Sequence, residues 1–299
     1  MRILLTGGSG YLGLHLLSTL VGAGHEVTAL VRAPDRLGRL AEHRAVTVFH
    51  ADLRQEARVA SAVGGQEVCV HAGLVWGAPS TELELLDTVA AAKLFDAAGK
   101  TGVSRSVLVS STAVHRPFTT EMREDDALTT SDVYGATKAA AELFLWAACA
   151  THGMQGVVLR PGPIVGPPAL PDGAFRSDRR IEVLVDAARR GEPLRMVEGE
   201  RRQFVAAHDV ARTVAVAIEA PEASGTYLCV DREFTSWESI ARRAVELTES
   251  KSTVVTEVGP EGSANPRFND SRLAALLGGP LDSRAAMEQH LAHLVRVPS

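Results

Sequence analysis

The chain is predicted to fold as an α/β protein, a doubly wound parallel sheet followed by a smaller C-terminal lobe. Three observations predict it. Short β-branched runs alternate with longer helical patterns through the first half, a glycine-rich stretch follows the first run at once, and the alternation gives way near residue 160 to proline and glycine. Candidate strands are residues 3–5, 26–31, 46–50, 67–71, 106–110 and 156–160; candidate helices are 11–23, 83–101 and 134–152. Alternation of this kind builds βαβ units and a parallel sheet. Runs without a polar break, such as Val107-Leu108-Val109, suit strands buried on both faces.

After Arg160 come Pro161, Pro163, Pro167, Pro168 and Pro171, with Gly162, Gly166 and Gly173 among them. Such a stretch is loop. Helical patterns resume at 181–190, 209–220, 237–249, 271–277 and 284–295. Residues 1–160 are therefore expected to form the sheet domain. Residues 161–299 are expected to form mostly a second lobe over the carboxyl edge of the sheet, where ligands bind in open α/β folds, with some segments returning to the first domain.

The bulk properties exclude several classes of function. The 299 residues carry a formal net charge of −5 and no basic stripe, which disfavours a nucleic-acid partner. Cys69, Cys149 and Cys229 are scattered in apolar surroundings, without metal-ligand spacing or the pattern of a disulfide framework. No His, Cys, Asp and Glu cluster has metal-site spacing, so no metal is expected. No apolar run reaches the length of a membrane span, and Arg2-Ile3-Leu4-Leu5-Thr6 running into glycines reads as a core strand, not a signal peptide. The expectation is a cytoplasmic protein acting on a small molecule, with no membrane partner.

Thr6-Gly7-Gly8-Ser9-Gly10-Tyr11-Leu12-Gly13 joins the first strand to the first helix. Glycines there let the backbone approach a pyrophosphate, and the helix N-terminus offers unpaired N–H groups. A tight strand–helix turn is the plainer alternative, but the position directly after a first strand favours a dinucleotide site of Rossmann type. The second strand ends Ala29-Leu30-Val31-Arg32, with Arg36 and Arg39 following. An acidic residue at that corner binds the ribose 2′-hydroxyl of NAD, whereas an Arg accommodates a 2′-phosphate. Arg32 therefore favours NADP(H), with NAD(H) possible. Asp52, with Leu53, is placed to meet the adenine ring; a helix N-cap is the alternative for Asp52.

Tyr134-Gly135-Ala136-Thr137-Lys138 carries the chemistry. Residues at i and i+4 share a helix face, so the phenol and the ammonium point the same way. A neighbouring positive charge favours phenolate, which makes Tyr134 a workable general acid or base. Only four lysines and three tyrosines occur, so a chance pairing is a weak explanation. Ser111 and Thr112 follow the fifth strand, where a hydroxyl can hold the substrate oxygen against the tyrosine. Trp76 follows the fourth strand and suits either a pocket wall or the core. Arg176, Arg179 and Arg180 can bind an anion or form a solvated cluster, and Asp209 is expected to cap the helix after it.

Together these residues resemble the extended short-chain dehydrogenase/reductase family, which includes nucleotide-sugar epimerases and dehydratases and the dihydroflavonol-reductase-like enzymes. The resemblance runs through Thr6–Gly13, Asp52-Leu53, His71-Ala72-Gly73, Ser110-Ser111, the Tyr134–Lys138 pentad, Arg160-Pro161-Gly162, and Arg202-Gln203-Phe204-Val205 leading to Asp209. It implies cofactor contacts from Gly7, Gly10, Tyr11, Leu12, Gly13, Arg32, Asp52, Leu53, His71, Ala72, Gly73, Tyr134, Lys138 and Pro161. It selects Ser111 over Thr112 as the catalytic hydroxyl beside Tyr134 and Lys138. Trp76 and Thr112, by their places after strands, are expected substrate contacts; Arg202 is one that the resemblance implies, at a position where nucleotide-sugar members bind phosphate. Related enzymes often dimerise through two helices, and 83–101 and 134–152 could serve in a homodimer.

Departures from the pattern bear on function. Asn occurs only at 265 and 269, and Asp87 stands where a helix asparagine is usual. The usual Val-Tyr-Gly after the serine pair is Val114-His115-Arg116, and no late diphosphate motif precedes Asp270. Arg32 and the missing late diphosphate motif favour an NADP(H)-dependent reductase or dehydrogenase. A nucleotide-sugar epimerase or dehydratase with transient hydride transfer is the alternative, and a non-catalytic NADP-sensing protein a third.

Overall fold

The computed structural model describes residues 1–74, 81–259 and 265–297, with the backbone alone for 81–85. Seven parallel strands form the central sheet: β1 (Arg2–Thr6), β2 (Glu26–Val31), β3 (Val46–His50), β4 (Val68–His71), β5 (Arg105–Val109), β6 (Gln155–Pro161) and β7 (Gly225–Cys229). Their order is β7-β6-β5-β4-β1-β2-β3. The order reverses between β1 and β4, and such a switch point opens a crevice at the carboxyl ends of the strands.

Alternate strand residues feed two cores. Ile3, Leu5, Val27 and Ala29 face α1 (Tyr11–Gly22) and α6 (Ala207–Glu219), meeting Leu14, Leu17, Val210 and Val214. Leu4, Leu30, Leu108 and Val158 face the other side, meeting Val63 of α2 (Glu56–Val63), Leu94 and Phe95 of α3 (Thr81–Lys100), and Leu145 of α4 (Val133–His152). This two-faced burial is why the strands read as unbroken apolar runs. A third core joins Ile181 and Leu184 of α5 (Arg179–Arg189), Trp237 and Ile240 of α7 (Trp237–Leu247), and Met287 and Leu291 of α9 (Arg284–Arg296). The short helix α8 (Ser271–Leu277) packs Leu273 against the first core.

Most sequence-predicted elements lie within a residue or two of those observed. The exceptions are long-range. β7 completes the sheet beside β6, a pairing that GTYLC does not announce by itself. Helix α6 begins at Ala207, so Asp209 lies inside its first turn instead of capping it and accepts from Arg212 at 3.2 Å. Residues 164–165 within the proline-rich loop pair with 205–206 as a short parallel ladder. Among the described residues no helix is long and apolar enough to cross a membrane, and no group of three His, Cys, Asp or Glu could hold a metal ion.

Candidate active site

The turn between β1 and α1 depends on close backbone approach. A Cβ on Gly13 would lie 1.9 Å from the Gly7 carbonyl oxygen, so no side chain fits. Gly10 precedes α1 and offers no side-chain cap, and the first turn of α1 holds no acidic residue. The N–H groups of that turn remain available to an anion.

On the other side, Asp132 caps α4 by accepting from the Gly135 amide at 2.7 Å, and it pairs with Arg116 at 2.8 Å. A Cβ on Gly135 would lie 2.7 Å from the Ala113 carbonyl oxygen, so this glycine lets α4 settle against the segment after β5. Tyr134 and Lys138 follow on one helix face. Lys138 is buried, and its ammonium donates to the Val109 carbonyl at 3.3 Å. Ser111 leaves β5 with its Oγ accepting from the Ala113 amide at 3.1 Å.

These parts meet in one cavity of about 850 Å³. Gly7, Gly10, Tyr11, Leu12, Gly13, Arg32, Asp52, Leu53, Ala72, Gly73, Ser111, Thr112, Tyr134, Lys138 and Pro161 all line it. Asp52 accepts from the Arg54 guanidinium at 2.8 and 2.9 Å, which holds its carboxyl below the usual range with help from the Arg32 charge. Asp52 is no helix cap, since α2 starts after Gln55.

Two expected residues stand outside the lining. His71 sits behind the wall, its Nδ1 2.7 Å from the Thr6 hydroxyl, which also accepts from the Gly73 amide at 3.2 Å. Burial, aided by the Lys138 charge, pulls the His71 imidazole down to about 3, so it is neutral. Arg202 turns to Glu200 at 3.3 Å and to the Arg201 carbonyl. Glu200 also takes both arms of Arg180 at 2.7 Å, and Arg180 lies 4.1 Å over the Trp237 ring. A carboxylate two residues away thus captures Arg202, which motif position alone does not reveal. Trp76 lies outside the described residues.

A model of the NAD dependent epimerase/dehydratase family matches residues 3–229. The chain belongs to that family. Within it the chain is an extended short-chain dehydrogenase/reductase, and its named relatives are dehydrogenases, reductases and epimerases. This epimerase/dehydratase-family chain is 32% identical over 178 residues to a 3-beta-hydroxysteroid dehydrogenase of Mycolicibacterium neoaurum, covering 55% of the chain and 48% of that protein. The match therefore spans about half the length of that relative. It is 30% identical over 306 aligned positions to a 4-hydroxy-2-methyl-3-oxo-4-farnesyl-3,4-dihydroquinoline-1-oxide ketoreductase of Stigmatella aurantiaca, covering 99% of the chain and 85% of that protein. Among solved structures, UDP-glucuronic acid 4-epimerase from Bacillus cereus in complex with NAD superposes with a TM-score of 0.81 at 17% identity, covering 98% of this chain and 96% of that one, a likeness of fold.

This family member also lines its crevice with residues 174–179, in which Arg176 and Arg179 stand on the cavity wall while Arg180 does not. The longer stretch from Gly166 to Ser177 is held from three sides. Tyr11 donates to the Gly166 carbonyl at 2.8 Å and meets the Phe175 ring edge-on at 5.6 Å. His15 lies 3.1 Å from the Pro167 carbonyl. His290 of α9 sits 2.8 Å from the Ser177 hydroxyl and 3.1 Å from the Gly166 amide. Burial pushes the Tyr11 phenol up and the His290 imidazole down, keeping both neutral near pH 7. No local pattern announces these contacts, because their partners are more than a hundred residues apart.

Proposed function

We propose that the chain is an NADP(H)-dependent oxidoreductase that moves a hydride to or from a carbonyl or alcohol carbon, with Tyr134 as general acid or base. The observation that carries this reading is the meeting of Ser111, Tyr134 and Lys138 with the glycine turn and Arg32 in one cavity. The residues present fit a dinucleotide. The space kept at Gly13 and the uncapped start of α1 suit a pyrophosphate, and Arg32 just after β2, with Arg36 in the helical turn that follows, suits a 2′-phosphate. Bound there, the cofactor would give the hydride in reduction and take it in oxidation. Tyr134 exchanges a proton with the substrate oxygen, and Ser111 holds that oxygen by a hydrogen bond. Lys138 keeps further N–H donors beyond the one on Val109, free to meet a bound cofactor or the substrate.

Two features favour a reductase over a nucleotide-sugar epimerase. Arg202, the residue expected to meet a diphosphate, is paired with Glu200 and does not line the cavity. A relative matched along almost the whole chain is named a ketoreductase. The test is NADPH consumption against a panel of ketones and aldehydes, with Tyr134→Phe as control. Turnover should fall by about a hundredfold or more in the variant, the usual weight of a general acid, while NADPH affinity stays within about twofold. Absence of turnover with every carbonyl, together with tight binding of UDP, would favour the epimerase. We further read Val89 of α3 with Leu143 and Phe144 of α4, 44–61% exposed, as a homodimer face. Sedimentation as a monomer would remove that part.

A further inference from the structure

Behind the cavity lies a charged group that the chemistry above leaves unused. Glu142 lies one turn beyond Lys138 on α4 and is wholly buried, and Arg160 at the end of β6 is 4% exposed. The guanidinium grips the carboxylate through Nε at 3.1 and 3.2 Å and through Nη2 at 2.7 Å. The Ser110 hydroxyl donates to the same carboxylate. On its far side Arg160 donates through Nη1 to the Glu124 carbonyl at 2.8 Å and to His115 Nε2 at 2.8 Å. His115 Nε2 is then the acceptor, so Nδ1 carries the proton and donates to the Ala127 carbonyl at 3.2 Å.

A buried ion pair contributes little stability relative to well-packed apolar side chains, because desolvation offsets the attraction. Its directional bonds, by contrast, define geometry. These bonds join the end of β5, the turn at His115, the segment through Glu124 and Ala127, helix α4 and the end of β6. Three of those parts present Ser111, Tyr134, Lys138 and Pro161 to the cavity. Helix α4 is pinned to β5 by two successive rungs, Lys138 on the Val109 carbonyl and Glu142 on Ser110. The rungs tie α4 to the end of β5, where Ser111 follows Ser110.

We propose that the Glu142–Arg160 pair, with Ser110 and His115, is a positioning unit that holds Ser111, Tyr134 and Lys138 in register. Ser110 stands on the cavity wall, whereas Glu142, Arg160 and His115 lie behind it; the four act through Ser111, Tyr134 and Lys138, and the proposal rests on the reading of Tyr134 as proton carrier. The test uses two variants of the full chain. Ser110→Ala cuts one rung and leaves the ion pair intact. Glu142→Gln combined with Arg160→Met removes both charges together, so that no unpaired charge is left buried. For Ser110→Ala the expected result is a fall in kcat of about tenfold, the order expected for a sub-ångström misplacement of reacting groups, with KM and NADPH affinity within about twofold. Ser110→Thr, which keeps the hydroxyl, should restore kcat.

An independent readout needs no substrate. ¹³C labelling of the three tyrosines, assigned with Tyr134→Phe, follows the pH at which the Tyr134 phenol loses its proton. Both variants should move that midpoint. Folded variants with unchanged kcat and an unchanged midpoint would overturn the proposal, as would parallel losses in kcat, cofactor affinity and Tm that Ser110→Thr does not reverse. If the unaltered protein fails to bind NADPH, the functional reading falls, and the phenol midpoint alone decides whether the unit positions Tyr134.

Discussion

Around β1 and β2 the crevice is shaped by main chain, whereas around β5, α4 and β6 it is shaped by buried side chains. On the first side the decisive groups are missing ones, a side chain at Gly13 and a cap at Gly10. On the second side Ser110, Glu142, Arg160 and His115 fill the interior with charge and hydrogen bonds. The difference follows from the ligands each side would serve. A pyrophosphate needs a surface of N–H groups at contact distance. Proton exchange needs a few side chains held to a fraction of an ångström.

The largest effect should come from disturbing the main-chain side. Gly13→Ala forces a methyl onto the Gly7 carbonyl, an overpacking worth up to about 3 kcal/mol, so NADPH binding should weaken by about a hundredfold or be lost with the fold. Fluorescence titration and a melting curve separate these outcomes, and wild-type affinity in this variant would mean that the turn does not bind the dinucleotide. Next in size is Arg32→Ala. Loss of a charge-assisted contact should weaken NADPH about tenfold and leave NADH unchanged. Equal changes for both cofactors would assign Arg32 to the surface.

The smallest effect lies at the seam, where His71 joins Thr6 of β1 to the field of Lys138. With its folded pKa lowered to about 3, His71 stays neutral while the unfolded chain takes up a proton near pH 6.5. Stability is then present above about pH 6.5 and lost as pH falls toward 3. Between pH 7 and 6 this residue alone should account for about 0.7 kcal/mol. His15, His115, His290 and His293 are lowered too, burial being the main cause in each, and add to the slope. Urea unfolding at each pH measures it. A midpoint flat from pH 7 to 6, or a slope equal in His71→Gln, would show that the imidazole is not held neutral.

The same contrast explains what the sequence discloses. Strand–helix alternation, the Thr6–Gly13 turn and the Tyr134–Lys138 spacing are local, and each carries its own geometric meaning. Ser111 could be chosen over Thr112 only through family likeness, and both hydroxyl residues prove to line the cavity. Glu142, Arg160 and His115 are silent in the sequence, because nothing local says that a helix carboxylate meets a strand guanidinium 18 residues on. Arg202 misleads for the same reason, since its capture by Glu200 depends on a side-chain direction that a motif does not encode. β7 and the wall at 174–179 depend on pairings with distant segments.

His290 gives the last helix a hold on the crevice, 124 residues beyond the glycine it contacts. A ribosome that has released only β1 to β6 has supplied the glycine turn and the Tyr134–Lys138 pair, yet the wall around Phe175 still awaits its anchor. Ligand capture in a nascent polypeptide should thus wait until α9 has docked, and a fusion that pulls α9 from its seat would loosen a pocket it never touches.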